Sequence, residues 1–113
     1  MRACLAALAC LASLPAAAAT PALNDYPTAA RADYVFACMK TNGETRQALD
    51  QCSCSIDVIA SLLPYDAYVA GETVASMALD IGPVGRAFSA ADLAKEDLAT
   101  LRRAQAEAEV RCF

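Results

Sequence analysis

The triplet Cys52-Ser53-Cys54 constrains the fold of this chain more than any other feature of its sequence. It lies in a stretch, Thr45 to Leu63, whose apolar residues recur at spacings typical of one face of an α-helix. Residues two apart on a helix point about 200° apart around its axis, so the two thiols face nearly opposite sides. A helix that carries them can be bonded covalently to two different neighbours.

The number of cysteines predicts two disulfides. The sequence contains six, at Cys4, Cys10, Cys38, Cys52, Cys54 and Cys112. The first two lie in the N-terminal leader described below, and the remaining even number in an exported chain is typical of disulfides. A Cys52–Cys54 bridge would close too tight a ring for a helix. A helical hairpin turning near Gly43 favours Cys38–Cys52 with Cys54–Cys112. The alternative, Cys38–Cys54 with Cys52–Cys112, stays open.

Residues 1–19 have the pattern of a secretory signal peptide. Arg2 provides a basic n-region, and an uncharged apolar run follows it. Ala17 and Ala19 are small residues at the two positions that a signal peptidase recognises. We expect cleavage after Ala19 and a mature protein in the bacterial periplasm, where disulfides persist. The apolar run is shorter than the roughly 20 residues of a membrane span, and the residues before Cys10 match a lipid-attachment motif poorly. We therefore expect no stable membrane insertion.

The rest of the chain is predicted to hold an arm and one helical domain. Two prolines with an Asn-Asp pair between them make residues 20–27 an extended arm, and residues 28–113 form a disulfide-bonded helical domain. Hydrophobic spacing predicts an all-α fold with four helices and no strand. The predicted helices are Thr28 to about Thr41, Thr45 to Leu63, Tyr65 to about Leu79, and Ala90 to Arg111.

Caps and breakers give the expected helix ends. Thr28 is the predicted N-cap of the first helix. Ser89 with Asp92 is a variant of the capping box that would start the last helix. Between the third and last helices, residues 80–88 contain two glycines and a proline, which predicts a flexible connection.

Two of the predicted helices carry a core-facing stripe, that is, a row of apolar residues along one side of the helix. In the second helix it consists of Leu49, Cys52, Ile56, Ile59 and Leu63. In the last helix it consists of Leu98, Leu101, Ala104, Ala108 and Cys112. We expect these residues to form the core, with Tyr65 and Tyr68 at or near its edge.

Composition excludes several classes of function. The sequence has no histidine, which rules out histidine acid–base catalysis and imidazole-dependent zinc sites. The net charge of -4 argues against nucleic acid as a partner, because such binding needs clustered Lys and Arg. Four carboxylates, Asp57, Asp66, Glu72 and Asp80, fall at helix positions expected to face solvent. We therefore predict a protein that is not an enzyme and uses no cofactor.

The first predicted helix is apolar around most of its circumference. Tyr34 and Cys38 share the face assigned to the core, whereas Phe36 points about 200° away from both. Val35 and Met39 cover much of the remaining surface. A helix that is apolar all round is either central to the core or covered by a partner on its outer side. On the second interpretation, Phe36, Val35 and Met39 bind a partner protein.

A chemical role for the Cys-x-Cys motif is the alternative. Cys52 and Cys54, with Cys38 and Met39, form a set of soft ligands of the kind that copper(I) prefers, and a thiol-redox carrier would use the same pair. The oxidising compartment favours disulfides instead. The Cys-x-x-Cys motif at a helix N-terminus in a βαβ setting, typical of thiol oxidoreductases, is also lacking. We therefore expect no metal site.

Three segments give the chain a resemblance to a family. They are Tyr34-Val35-Phe36-Ala37-Cys38-Met39, Cys52-Ser53-Cys54-Ser55-Ile56-Asp57 and Arg111-Cys112-Phe113. The chain resembles small exported proteobacterial proteins without an assigned activity, some of them encoded near genes of quinoprotein alcohol oxidation. The resemblance spans nearly the whole mature chain and carries no catalytic residues. It implies an accessory role as partner, chaperone or stabilising subunit of an exported enzyme, such as a quinoprotein dehydrogenase.

Overall fold

Five α-helices build residues 24–113, the part of the chain that the computed structural model describes, and no strand occurs in that part. They are α1 (Thr28–Asn42), α2 (Arg46–Leu62), α3 (Tyr65–Met77), α4 (Pro83–Ala90) and α5 (Asp92–Cys112). The predicted all-α class is confirmed, but the number of helices is five rather than four. The predicted signal peptide and the first residues of the predicted arm lie outside the described residues.

The helices α2 and α5 form the centre of the fold. α2 packs against α1 on one side and against α5 on another, and α5 also packs against α3. The short helix α4 packs mainly against α3 and α5. Helix α1 is thus an edge helix, which packs mainly on α2.

Most of the predicted stripes form the core. Ile56 and Ile59 of α2 meet Leu101 of α5, and all three are almost completely buried. The small Ala104 and Ala108 complete the buried face of α5, which allows the two helices to approach closely.

One member of the α2 stripe is not in the core. Leu49 is exposed, because α5 ends at Cys112, which is bonded to Cys54. The first two turns of α2 therefore project beyond the end of α5 and have no helix from that side to pack against.

Helix α1 begins differently from its prediction. Pro27, and not Thr28, is the N-cap, with φ -58° and ψ 143°, and Thr28 is the first helical residue. The Pro27 carbonyl accepts the first intrahelical hydrogen bond from the Arg31 N–H at 3.2 Å. The N-cap of α2, unlike that of α1, uses a side chain: the Thr45 hydroxyl accepts a hydrogen bond from the Ala48 N–H at 3.1 Å.

The predicted flexible connection contains helix α4, so that prediction is wrong. Pro83 stands at the first helical position, where its fixed φ suits a helix. The Asp80 carboxylate accepts a hydrogen bond from the Gly82 N–H at 2.8 Å. A Cβ on Gly85 would lie 2.6 Å from the Asp80 carbonyl oxygen. Gly85 therefore permits a close backbone approach and does not act as a hinge.

The predicted capping box at the start of α5 is also absent. Ser89 lies inside α4, and its hydroxyl donates to the Gly85 carbonyl at 2.8 Å. The N-cap of α5 is Ala91, which has no side chain that can accept a hydrogen bond. The existence of α4 explains the difference, because Ser89 belongs to its last turn and lies two residues before the cap position.

Candidate binding groove

Two disulfides hold α2 between α1 and α5. Cys38 is bonded to Cys52 and Cys54 to Cys112, with the Cα atoms of each pair 5.8 Å apart. This is the pairing that the hairpin geometry favours, and the Cys-x-Cys motif binds one helix to two neighbours as predicted. All four cysteines between residues 24 and 113 are disulfide-bonded. A copper(I) or thiol-redox site built on Cys52 and Cys54 would therefore require prior reduction.

Helix α1 contains no buried residue. It is attached to α2 by the Cys38–Cys52 disulfide, by a 2.8 Å hydrogen bond between the Tyr34 and Ser55 hydroxyls and by the loose Arg31–Asp57 ion pair. Tyr34 and Val35 are partly buried against the core. The interpretation that α1 is central to the core is therefore wrong, and Phe36 on its outer side is exposed.

An open groove of about 480 Å³ lies between α1 and α2. It is lined by Thr28, Arg31, Ala32, Val35, Phe36, Met39, Ser53, Ile56 and Asp57. The structure thus brings Val35, Phe36 and Met39, the three predicted partner-binding residues, to one site. Phe36 has 64% of its surface exposed.

Charged groups are few in this groove. The Arg31 guanidinium lies 3.8 Å from the Asp57 carboxylate, a loose ion pair between partly exposed side chains. The Lys40 ammonium lies 5.0 Å from the centroid of the Phe36 ring. A cation at this distance attracts the ring face, so Lys40 favours one orientation of the exposed Phe36 ring.

Three tyrosines, Tyr26, Tyr65 and Tyr68, pack against one another beside the core, a cluster that the sequence did not predict. Tyr26 is 95% buried, and its ring centroid lies 5.1 Å from those of both Tyr65 and Tyr68. The neighbouring Asp25 carboxylate accepts a hydrogen bond from the Tyr65 N–H at 2.9 Å and so caps α3. Residues 24–26 therefore belong to the fold, and an aromatic residue between the prolines was the only signal for it.

The predicted position of Tyr65 and Tyr68 is confirmed, since both are partly buried against the core. Burial raises the pKa of Tyr68 above its ordinary value, and the nearby Glu72 carboxylate raises it further. Burial also raises the pKa of the Tyr34 hydroxyl, against the opposing effect of its hydrogen bond to Ser55.

The four carboxylates that were predicted to face solvent differ in their exposure. Asp57, Asp66 and Asp80 are exposed, as predicted. Glu72 is only partly exposed, and burial raises its pKa, an effect that the Arg102 charge opposes. The prediction for Glu72 is therefore wrong in part, because the residue lies near Tyr34 and Tyr68 and not in open solvent.

Between residues 24 and 113, no helix has the length and apolar character that crossing a membrane requires. The same residues form no group of three or more acidic or cysteine side chains that could hold a metal ion. Comparison with known proteins gives no match: no family model fits the chain, and no curated protein or solved structure is significantly similar to it.

Proposed function

We propose that this protein is a non-catalytic binding module that receives a partner protein in the groove between α1 and α2. One observation carries the proposal: α1 is bonded covalently to the bundle, yet none of its residues is buried. A helix whose own packing is this limited contributes little to the core, and the side of it that lines the groove carries Val35, Phe36 and Met39 together.

The composition of the groove fits a protein interface. Aromatic residues, Met and Arg are enriched in such interfaces relative to the rest of a protein surface, and the groove offers Phe36, Met39 and Arg31. Removing one large apolar side chain from water contributes about 1.5–3 kcal/mol. Phe36 therefore offers a partner more binding energy than it contributes to the stability of the free protein.

The groove is also held in place before a partner arrives. The Cys38–Cys52 disulfide fixes the distance between α1 and α2, and the Tyr34–Ser55 hydrogen bond limits rotation of α1 about its axis. A preformed site loses less conformational entropy on binding. This favours a module that docks as a rigid body over one that folds on its partner.

The partner we propose is an exported enzyme. Two disulfides are compatible with an extracellular or periplasmic protein, and the resemblance described above implies an accessory subunit, such as that of a quinoprotein dehydrogenase. Binding to the α1–α2 groove would stabilise the enzyme or its assembly without any chemical step on this chain.

Site-specific photo-crosslinking in the producing cell tests this proposal. A photoreactive amino acid replaces Phe36 in one variant and Val110 in a control variant; Val110 lies on α5, outside the groove, and is 83% exposed. We expect position 36 to give one discrete adduct with an exported protein, which mass spectrometry identifies, and position 110 to give none.

A second pair of variants separates binding from stability. Phe36→Asp is expected to abolish the adduct formed from position 39 while leaving the thermal midpoint nearly unchanged, and Val110→Asp is expected to change neither. Equal crosslinking from positions 36 and 110, or unfolding by Phe36→Asp, would contradict the proposal.

A further inference from the structure

A second groove lies between the C-terminal half of α2 and α5. Its volume is about 340 Å³, which is at the lower end of the range for pockets that hold small molecules. Its lining includes Leu63 and Ala104, both buried, and Leu62, which is 46% exposed. The size and the apolar surface fit a small ligand with an aliphatic part.

The same groove carries an excess of positive charge. It includes Arg103, Glu107 and Arg111. Glu107 accepts a hydrogen bond from Arg111 at 2.7 Å, so these two charges neutralise each other. Arg103 donates only to the Thr100 hydroxyl, at 3.0 Å, and no carboxylate among the described residues lies within ion-pair distance of it. Arg103 is exposed, so its guanidinium is free to pair with an anion that enters the groove.

The planar guanidinium of Arg103 favours a carboxylate as the bound anion. A guanidinium binds a carboxylate through two parallel N–H···O hydrogen bonds, a geometry that its planar fork imposes. Leu62, the last residue of α2, and Leu63, its C-cap, line the same groove, and the half-exposed Leu62 offers apolar surface to the group that carries the carboxylate. The Cys54–Cys112 disulfide fixes α2 against the end of α5, so the two walls of the groove keep their distance.

We propose that the α2–α5 groove binds an aliphatic monocarboxylate, with its carboxylate on Arg103 and its alkyl chain against Leu62 and Leu63. This site uses none of the residues of the α1–α2 groove, so the proposal holds or fails independently of the partner protein.

Titration with octanoate, followed by amide chemical shifts in NMR spectra of the oxidised protein, tests the proposal, and 1-octanol is the matched uncharged probe. We expect octanoate to shift the amides of Leu62, Leu63 and Ala104 in a saturable way. Arg103→Gln should weaken this binding by about tenfold or more, since it removes a charge-assisted pair. Arg46→Gln removes the same charge at an exposed pair with Asp50 and should leave binding unchanged.

Three results would overturn the assignment. The first is equal binding of octanoate and 1-octanol, and the second is an equal effect of Arg103→Gln and Arg46→Gln. The third is the absence of saturable octanoate binding, whether or not Arg103→Gln lowers the thermal midpoint.

Discussion

At the scale of single residues, the missing side chain of Gly71 decides how closely α3 approaches α5. A Cβ at this position would lie 2.6 Å from the Leu101 Cβ and 3.2 Å from the Asp97 carbonyl oxygen. Both neighbours belong to α5, and Leu101 is completely buried. The glycine therefore sets the helix–helix distance at the centre of the core.

Gly71→Ala should destabilise the protein by about 1–3 kcal/mol, the usual effect of overpacking a core. Helix propensity acts in the opposite direction, because alanine in an open helix is favoured over glycine by about 1 kcal/mol. Urea unfolding measures the difference, with Ser76→Ala, an exposed position on the same helix, as the control. A Gly71→Ala variant that is as stable as the natural protein would mean that α3 can shift away from α5 freely.

Tyr26 combines a buried ring with a phenol oxygen that has no hydrogen-bond partner among the described residues. The ring packs against Tyr65 and Tyr68, whereas an unpaired buried hydroxyl is unfavourable. The two parts of this side chain should therefore have opposite effects on stability.

Tyr26→Ala should lower the free energy of unfolding by about 3 kcal/mol or more, as for other large core residues. Tyr26→Phe keeps the ring and removes the unpaired oxygen, so it should be neutral or slightly stabilising. Chemical denaturation of both variants checks this. A large loss in Tyr26→Phe would show that the hydroxyl has a partner, such as a buried water molecule.

At the scale of the elements, the two disulfides contribute to stability in different ways. Cys38–Cys52 closes a short loop, with a sequence separation of 14, and attaches a helix that has no buried residue. Cys54–Cys112 has a separation of 58 and joins α2 and α5, which already share a core. The first bridge holds an element in place, and the second stabilises the whole domain.

Removing each bridge separately should give distinguishable results. The loop-entropy relation predicts that removing the bridge lowers the free energy of unfolding by about 3 kcal/mol for the shorter loop and by about 4 kcal/mol for the longer one. In Cys38→Ala/Cys52→Ala, the α1 amides should also exchange with solvent much faster than those of α2 and α5. In Cys54→Ala/Cys112→Ala, protection should decrease throughout. Hydrogen exchange measures both, and unchanged α1 protection in the first variant would contradict the proposed role of that bridge.

At the scale of the whole molecule, burial of tyrosine hydroxyls links stability to alkaline pH. Burial raises the pKa of Tyr26, Tyr34 and Tyr68 above the ordinary value of 10.0. A group whose pKa is higher in the folded than in the unfolded state contributes stability below its unfolded pKa and loses it as pH rises. The protein should therefore lose stability as the pH rises above about 10.

Urea unfolding at about pH 8 and about pH 11 tests this linkage. We expect a clear decrease in stability at the higher pH and a smaller one in Tyr26→Phe/Tyr68→Phe, which lacks two of the titrating groups. The tyrosinate absorbance of Tyr26, Tyr34 and Tyr68 should appear together with unfolding. An equal decrease in both proteins would assign the effect to other groups.

Local patterns in the sequence determined the helical class, the core stripes of α2 and α5 and the bonding of α2 to two neighbours. These features depend on the angle between nearby residues of one helix, which is the same wherever the helix lies. The grouping of Val35, Phe36 and Met39 was predictable for the same reason. That these residues face an open groove was not, because it depends on what packs against α1.

Only the tertiary structure decided the burial of Tyr26, the helix α4 and the edge position of α1. Each depends on a partner distant in sequence or on a close backbone approach. Asp25 caps α3 from 40 residues away, and Gly85 approaches the backbone of Asp80 where a hinge was expected. Glycine and proline give the same local signal in a flexible loop and in a tightly packed turn. The difference between the two is made by the atoms that surround them in three dimensions.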